Sequence, residues 1–122
     1  MDKVLIRGLE INTVIGVYDW EKTIEQRLLV DLDMAWDNRQ AAATDDYQYA
    51  LCYETVSNRV IEKIIEKPIE LIETVAEMIA TILLEEFNVS WVKVVVKKPG
   101  AVKQAQSVAV EIERSQSASQ AS

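Results

Sequence analysis

WVKVVVKKPGAV, residues 91–102, puts Val92, Val94 and Val96 on one face of an extended chain and Trp91, Lys93, Val95 and Lys97 on the other. That period of two marks a β-strand with one face in a core. Pro99-Gly100 ends it, because proline presets φ and glycine tolerates the positive φ of a type II turn. Lys98, just before the turn, has a fixed backbone and two readings. It is a solvated member of a lysine pair, or an ammonium that reaches a cleft and moves a proton.

The rest of the chain supplies partners for this strand. Val4 to Ile15 is β-branched and aliphatic, interrupted by Gly8, and reads as a strand with a kink. After the polar loop GVYDWEKTIEQ, Leu28, Val30, Leu32, Met34 and Trp36 alternate as a second strand. Asp37 to Ala50 is turn-like. From Tyr53 to Ile65 the period becomes helical, with Tyr53, Val56, Val60, Ile61, Ile64 and Ile65 on one stripe. Pro68 is expected in the first turn of a second helix, where its missing N–H costs nothing. That helix carries Leu71, Val75, Met78, Ile79, Ile82 and Leu83 and ends near Phe87-Asn88. Ser107 to Glu113 is the fourth strand.

The order β-β-α-α-β-β predicts an α+β fold: a four-stranded antiparallel sheet with two helices on one face. Its other face bears Trp91, Val95 and Leu29, and its two edges are open. Edge-to-edge pairing of several copies into a closed β-barrel ring answers both features. Residues 1–114 are expected to form one domain, and the low-complexity tail 115–122 to be disordered.

Composition narrows the chemistry. A chain of 122 residues, 49% apolar, holds one core. Its net charge of −7 argues against nucleic acid and anionic membrane as partners. No apolar run reaches the length of a spanning helix and MDKVLIRG lacks a signal pattern, so a cytoplasmic location is expected. The single Cys52 excludes an intrachain disulfide. The absence of histidine matters most. It removes a histidine base and a Ser-His or Cys-His pair, and it strips a transition metal of its usual ligands. No metal and no cofactor are expected.

Besides Lys98, three residues invite a role, and each has a plainer reading. Glu21 follows the aromatic loop VYDW and reads as a candidate or as an exposed loop glutamate. Tyr53 opens the first helix, as a functional hydroxyl or as a member of the apolar stripe. Glu73 lies early in the second helix, where a carboxylate suits the helix dipole. It also sits beside backbone N–H groups, such as that of Ile72, that lack helical acceptors. A carboxylate and open N–H groups together can read the edge of a planar heterocycle.

GVYDWEKTIEQ, LCYETV (residues 51–56), LIETVAE (71–77) and KKPGA (97–101), in this order and spacing, closely resemble the bacterial dihydroneopterin aldolase family of folate biosynthesis. The resemblance runs from about residue 2 to 114. It implies the tunnelling fold, with tetrameric rings stacking into a homo-octamer and sites between subunits. It also implies cleavage of a pterin substrate, 7,8-dihydroneopterin, to 6-hydroxymethyl-7,8-dihydropterin and glycolaldehyde, with epimerase side-activity. The substrate's N5=C6 imine is its own electron sink, so neither metal nor Schiff base is required.

Carried across, Glu73 matches the glutamate that pairs with the 2-amino and N3 edge of the pterin, and Ile72 the backbone N–H that meets its carbonyl. Lys98 matches the lysine that, with a water, serves the side-chain hydroxyl and N5. Glu21 matches the loop glutamate near the trihydroxypropyl chain. Tyr53 matches the tyrosine that a neighbouring subunit supplies to protonate the intermediate, with Leu51 lining the pocket. Cys52 departs from the Ser or His expected there. A pterin epimerase of the same fold and a silent pterin-binding ring are the alternatives.

Overall fold

The structure, a computed structural model, describes residues 1–116. Strands β1 (Lys3–Thr13), β2 (Gln26–Ala35), β3 (Trp91–Pro99) and β4 (Ser107–Ser115) form one antiparallel sheet in the order β1-β2-β3-β4. Helices α2 (Tyr53–Ile65) and α3 (Ile72–Glu86) lie between the two hairpins in sequence, and a short α1 (Arg39–Thr44) precedes them. The expected β-β-α-α-β-β order and α+β class are therefore found.

Period-two alternation builds the core. The rows Leu28, Val30, Leu32, Met34 on β2 and Val92, Val94, Val96 on β3 are fully buried, and register pairs Leu32 with Val94 and Val94 with Ile112. Helix α2 packs on β1, and α3 on β3 and β4. Each such aliphatic side chain contributes about 1.5–3 kcal/mol by leaving water. A charge in the row, as in Val94→Asp, would be unpaired and would part the layers. Beyond the core, Gly100 at φ 76 turns the chain after Pro99, as the Pro-Gly reading expects.

The opposite face of the sheet carries half-buried Trp91, Val95 and Leu29, but also a ladder of charges. Lys97 meets Asp31 at 2.8 Å and Arg7 meets Asp33 at 2.5 Å. Strands β1 and β4 are the edges, each paired on one side only among the described residues.

Three expectations are corrected. The turn-like stretch 37–50 contains α1 and a 3-10 turn, Tyr47–Tyr49. Pro68 precedes α3 rather than starting it, because the linker is held extended against β1's exit. Ile69 N–H donates to Val14 O (3.2 Å) and Gly16 N–H to Ile69 O (3.0 Å), so the helix begins only at Ile72. On α2, Val56, Val60 and Ile64 are buried while Tyr53 and Ile65 face solvent. Tyr53 thus belongs to the rim and not to the core. At the C-terminus, Ser115 closes β4 and the Gln116 amide donates to Val89 O at 2.9 Å. The rest of the expected tail, 117–122, lies outside the described residues.

Candidate active site

Two core rows end in polar residues at the same end of the sheet. On β3 the inward positions 92, 94 and 96 continue to Lys98; on β2 the inward row from Met34 back to Leu28 continues to Gln26. Between them lies Glu21. It is the third residue of a 3-10 turn, Asp19–Thr23, whose first backbone bond runs from Glu21 N–H to Tyr18 O at 3.0 Å.

The turn folds the Glu21 side chain back under itself, and the carboxylate is buried, only 6% exposed. Lys98 Nζ donates to Oε2 at 2.7 Å, Gln26 Nε2 donates to Oε2 at 3.1 Å, and Tyr18 N–H donates to Oε1 at 3.3 Å. The Lys98 side chain is itself 14% exposed. Such a pair survives burial only because further donors satisfy the carboxylate. The Lys98 hydrogen bond, then that of Gln26, hold the Glu21 carboxyl down to about 2 against the opposing cost of burial. Glu21 is therefore ionised at any physiological pH, and Lys98 is the donor in their contact.

Gly16 makes room for this arrangement. Its φ is 140, and a Cβ there would fall 2.3 Å from the Glu21 Cδ. Only glycine fits between the backbone and the carboxylate.

The linker bridge brings α3 to the same end. Besides the Ile15–Ile69 pairing, Lys22 Nζ meets Glu70 Oε2 at 3.3 Å. Helix α3 then starts with Ile72 and Glu73. Its first backbone bonds, Thr74 N–H and Val75 N–H to Leu71 O, leave the N–H groups of Ile72 and Glu73 open among the described residues. Ile72 is buried; Glu73 is exposed and its carboxylate makes no hydrogen bond or ion pair there. An ion-paired ammonium, an unengaged carboxylate and open N–H donors thus surround one end of the fold.

Tyr53 and Leu51 are not part of that group. The C-terminal turn of α2 touches β1's end, where Thr13 Oγ1 donates to Ile64 O at 3.5 Å. The N-terminal side lies by the far end of β2, where Trp36 Nε1 donates to Tyr49 O at 3.1 Å. The 13 residues of α2 separate the two ends by about 20 Å. Tyr53 is 64% exposed and its hydroxyl has no hydrogen-bond partner among the described residues; Leu51 is buried beside it. Cys52 occupies the N-cap position without capping the helix, its thiol engaged by Tyr47 Oη (2.9 Å) and Thr55 Oγ1 (3.0 Å).

Sequence reading missed Gln26 and the burial of Glu21. The signal for Gln26 was present, since it is a polar residue in register with the inward row of Leu28 and Val30.

The family model for dihydroneopterin aldolase matches residues 4–113. The chain is 48% identical over 114 residues to the dihydroneopterin aldolase of Escherichia coli, covering 93% of each. The crystal structure of the Escherichia coli enzyme in complex with neopterin superposes with a TM-score of 0.90 over 93% of this chain and 99% of that one. A dihydroneopterin triphosphate 2'-epimerase of Pseudomonas aeruginosa is 27% identical over 112 residues, covering 92% of this chain and 91% of its own.

Proposed function

The chain belongs to the dihydroneopterin aldolase family, and from that premise we propose how it acts as an aldehyde-lyase: the Glu21–Lys98 pair carries the retro-aldol cleavage of 7,8-dihydroneopterin. The observation that carries this reading is the part-buried 2.7 Å contact between Lys98 Nζ and Glu21 Oε2, at the same end of the fold as the open N-terminus of α3.

Glu73 and the Ile72 N–H bind the pterin. The carboxylate accepts from the 2-amino and N3 hydrogens, and the N–H donates to the ring carbonyl. This fixes the ring with its N5 and side chain toward Lys98. In cleavage, the C2′ hydroxyl loses its proton and becomes the carbonyl of glycolaldehyde. The C1′–C2′ bond breaks, its electron pair forms C1′=C6, and N5 takes a proton. C1′ is then protonated as N5 gives its proton up.

Because ionised Glu21 holds the lysine as an ammonium donor, Lys98 gives a proton to N5 and recovers the C2′ hydroxyl proton through an ordered water. Glu21 sits near the trihydroxypropyl chain and fixes the ammonium's direction. An ammonium placed in this way stabilises charge as it develops on N5.

The acid for C1′ comes from another copy. Tyr53 lies at the far end of its own chain, exposed and without a hydrogen-bond partner among the described residues. Val17, Tyr18 and Trp20 are equally exposed beside Glu21. Pairing of β1 and β4 edges between copies would bring Tyr53 of the partner subunit, with its Leu51 lining the pocket, to this apolar rim. The assembly is a tetrameric ring, doubled into an octamer, located in the cytoplasm; residues 1–114 form its single domain.

Product analysis tests the reaction. Purified protein with 7,8-dihydroneopterin and EDTA is expected to yield 6-hydroxymethyl-7,8-dihydropterin and equimolar glycolaldehyde. Recovery of the C2′ epimer alone would assign the chain to epimerisation instead, and unchanged substrate from an intact oligomer would leave a binding ring.

A further inference from the structure

The Gln26 amide ties Glu21 to the start of β2, as Lys98 ties it to the end of β3. Gln26 is the first residue of β2, paired with Thr13 of β1. Both hydrogens of its Nε2 are used: one goes to Ile15 O at 2.8 Å, the other to Glu21 Oε2 at 3.1 Å. Ile15 is fully buried and is bridged to Ile69 in the linker that leads to α3. A single side chain therefore connects β2, the exit of β1 and the oxygen that receives Lys98. Among the described residues, the other hydrogen bonds to the Glu21 carboxylate come from the Lys98 ammonium and from the N–H of Tyr18, which precedes the same turn.

We propose that Gln26 is a positioning residue for the cleavage: anchored on Ile15 O, its amide holds Glu21 Oε2 where that oxygen aims the Lys98 ammonium at the substrate. The inference rests on the role given above to Lys98. Gln26 does not touch the pterin. It acts because Tyr18 N–H on Oε1 and the Gln26 amide on Oε2 fix the carboxylate, and Oε2 then receives Lys98 from its remaining direction. A leucine keeps much of the side chain's volume but supplies neither hydrogen.

Kinetics of the assembled protein separate positioning from general support of the fold. Gln26→Leu is expected to lower kcat about tenfold while leaving KM within about twofold, because the pterin edge is read by Glu73 and Ile72 elsewhere. In a Lys98→Ala background the same change should cost less than about twofold further. An unchanged kcat, or an equal loss in both backgrounds, would overturn the proposal.

Gln26→Glu gives a second readout in case the leucine variant assembles poorly. Its carboxyl donates to Glu21 only when protonated, and the neighbouring charge raises its pKa. Its kcat should therefore climb relative to the parent as pH falls from about 8 to about 6; a parallel profile would contradict the proposal. A carbon-13 titration of Glu21 needs no substrate. Its midpoint should move up from about 2 in Gln26→Leu, and an unmoved midpoint would overturn the role of Gln26. A parent protein that failed to cleave dihydroneopterin would contradict the function, whereas this titration reads Gln26 alone.

Discussion

Lys98 Nζ donates to Glu21 Oε2 at 2.7 Å across 77 positions of sequence, joining the last inward position of one strand to a turn that precedes another. The contact joins two residues that each have a plain solvent-facing reading into a neutral, largely buried unit. Its energetics follow from burial: removing one partner leaves the other charge without compensation, at a cost of about 3–5 kcal/mol.

Acid should loosen this end of the fold in a defined window. The folded-state pKa of Glu21 lies at about 2, below its ordinary 4.5. Its contribution to stability is therefore complete above pH 4.5 and is lost as pH falls toward 2. In urea unfolding followed by circular dichroism, Glu21→Gln should show a shallower loss of stability across that window than the parent. Identical slopes would mean that the carboxyl is not held in this way.

Lys98→Ala should lower turnover by about 100-fold or more, the range of a proton-transfer group, while pterin affinity falls only a few fold. Single-turnover kinetics with a separate binding titration make the distinction. Turnover equal to the parent's would remove Lys98 from the reaction.

Glu73→Ala carries the opposite expectation. Loss of a carboxylate with charge-assisted hydrogen bonds should weaken pterin binding by about 10- to 100-fold. Fluorescence titration with neopterin reports it, and an unaltered Kd would place the pterin elsewhere.

Gly16→Ala tests the packing beneath the site. At φ 140, with Glu21 Cδ 2.3 Å from the added carbon, the backbone or the carboxylate must move. A stability loss of about 1–3 kcal/mol is expected, with turnover reduced alongside it. A variant as stable and active as the parent would show that the turn yields without consequence for Glu21.

How far the sequence reveals this molecule depends on the range of the physics involved. The β3 strand, both long helices and the strand order are readable because periodicity reports burial locally, residue by residue. Pro68 misleads because the start of α3 is decided by Ile69 pairing with Ile15, a contact between segments distant in sequence. Glu21 reads as a loop glutamate because its burial depends on Gly16, Gln26 and Lys98 closing around it, and no window around residue 21 contains Lys98. Tyr53 fits the apolar stripe by spacing, yet it stands at the helix's first position, beyond the edge of the layer it would pack against.

Subunit mixing puts the central claim, a site shared between two copies, to its most direct test. Lys98→Ala and Tyr53→Ala assemblies should each be nearly inactive on 7,8-dihydroneopterin. If each site takes Lys98 from one subunit and Tyr53 from the next, equal mixing by dissociation and reassembly restores about one site in four. Recovery of about a quarter of the parent's glycolaldehyde production is the expected result. Mixed oligomers that form and remain as inactive as their parents would contradict the account.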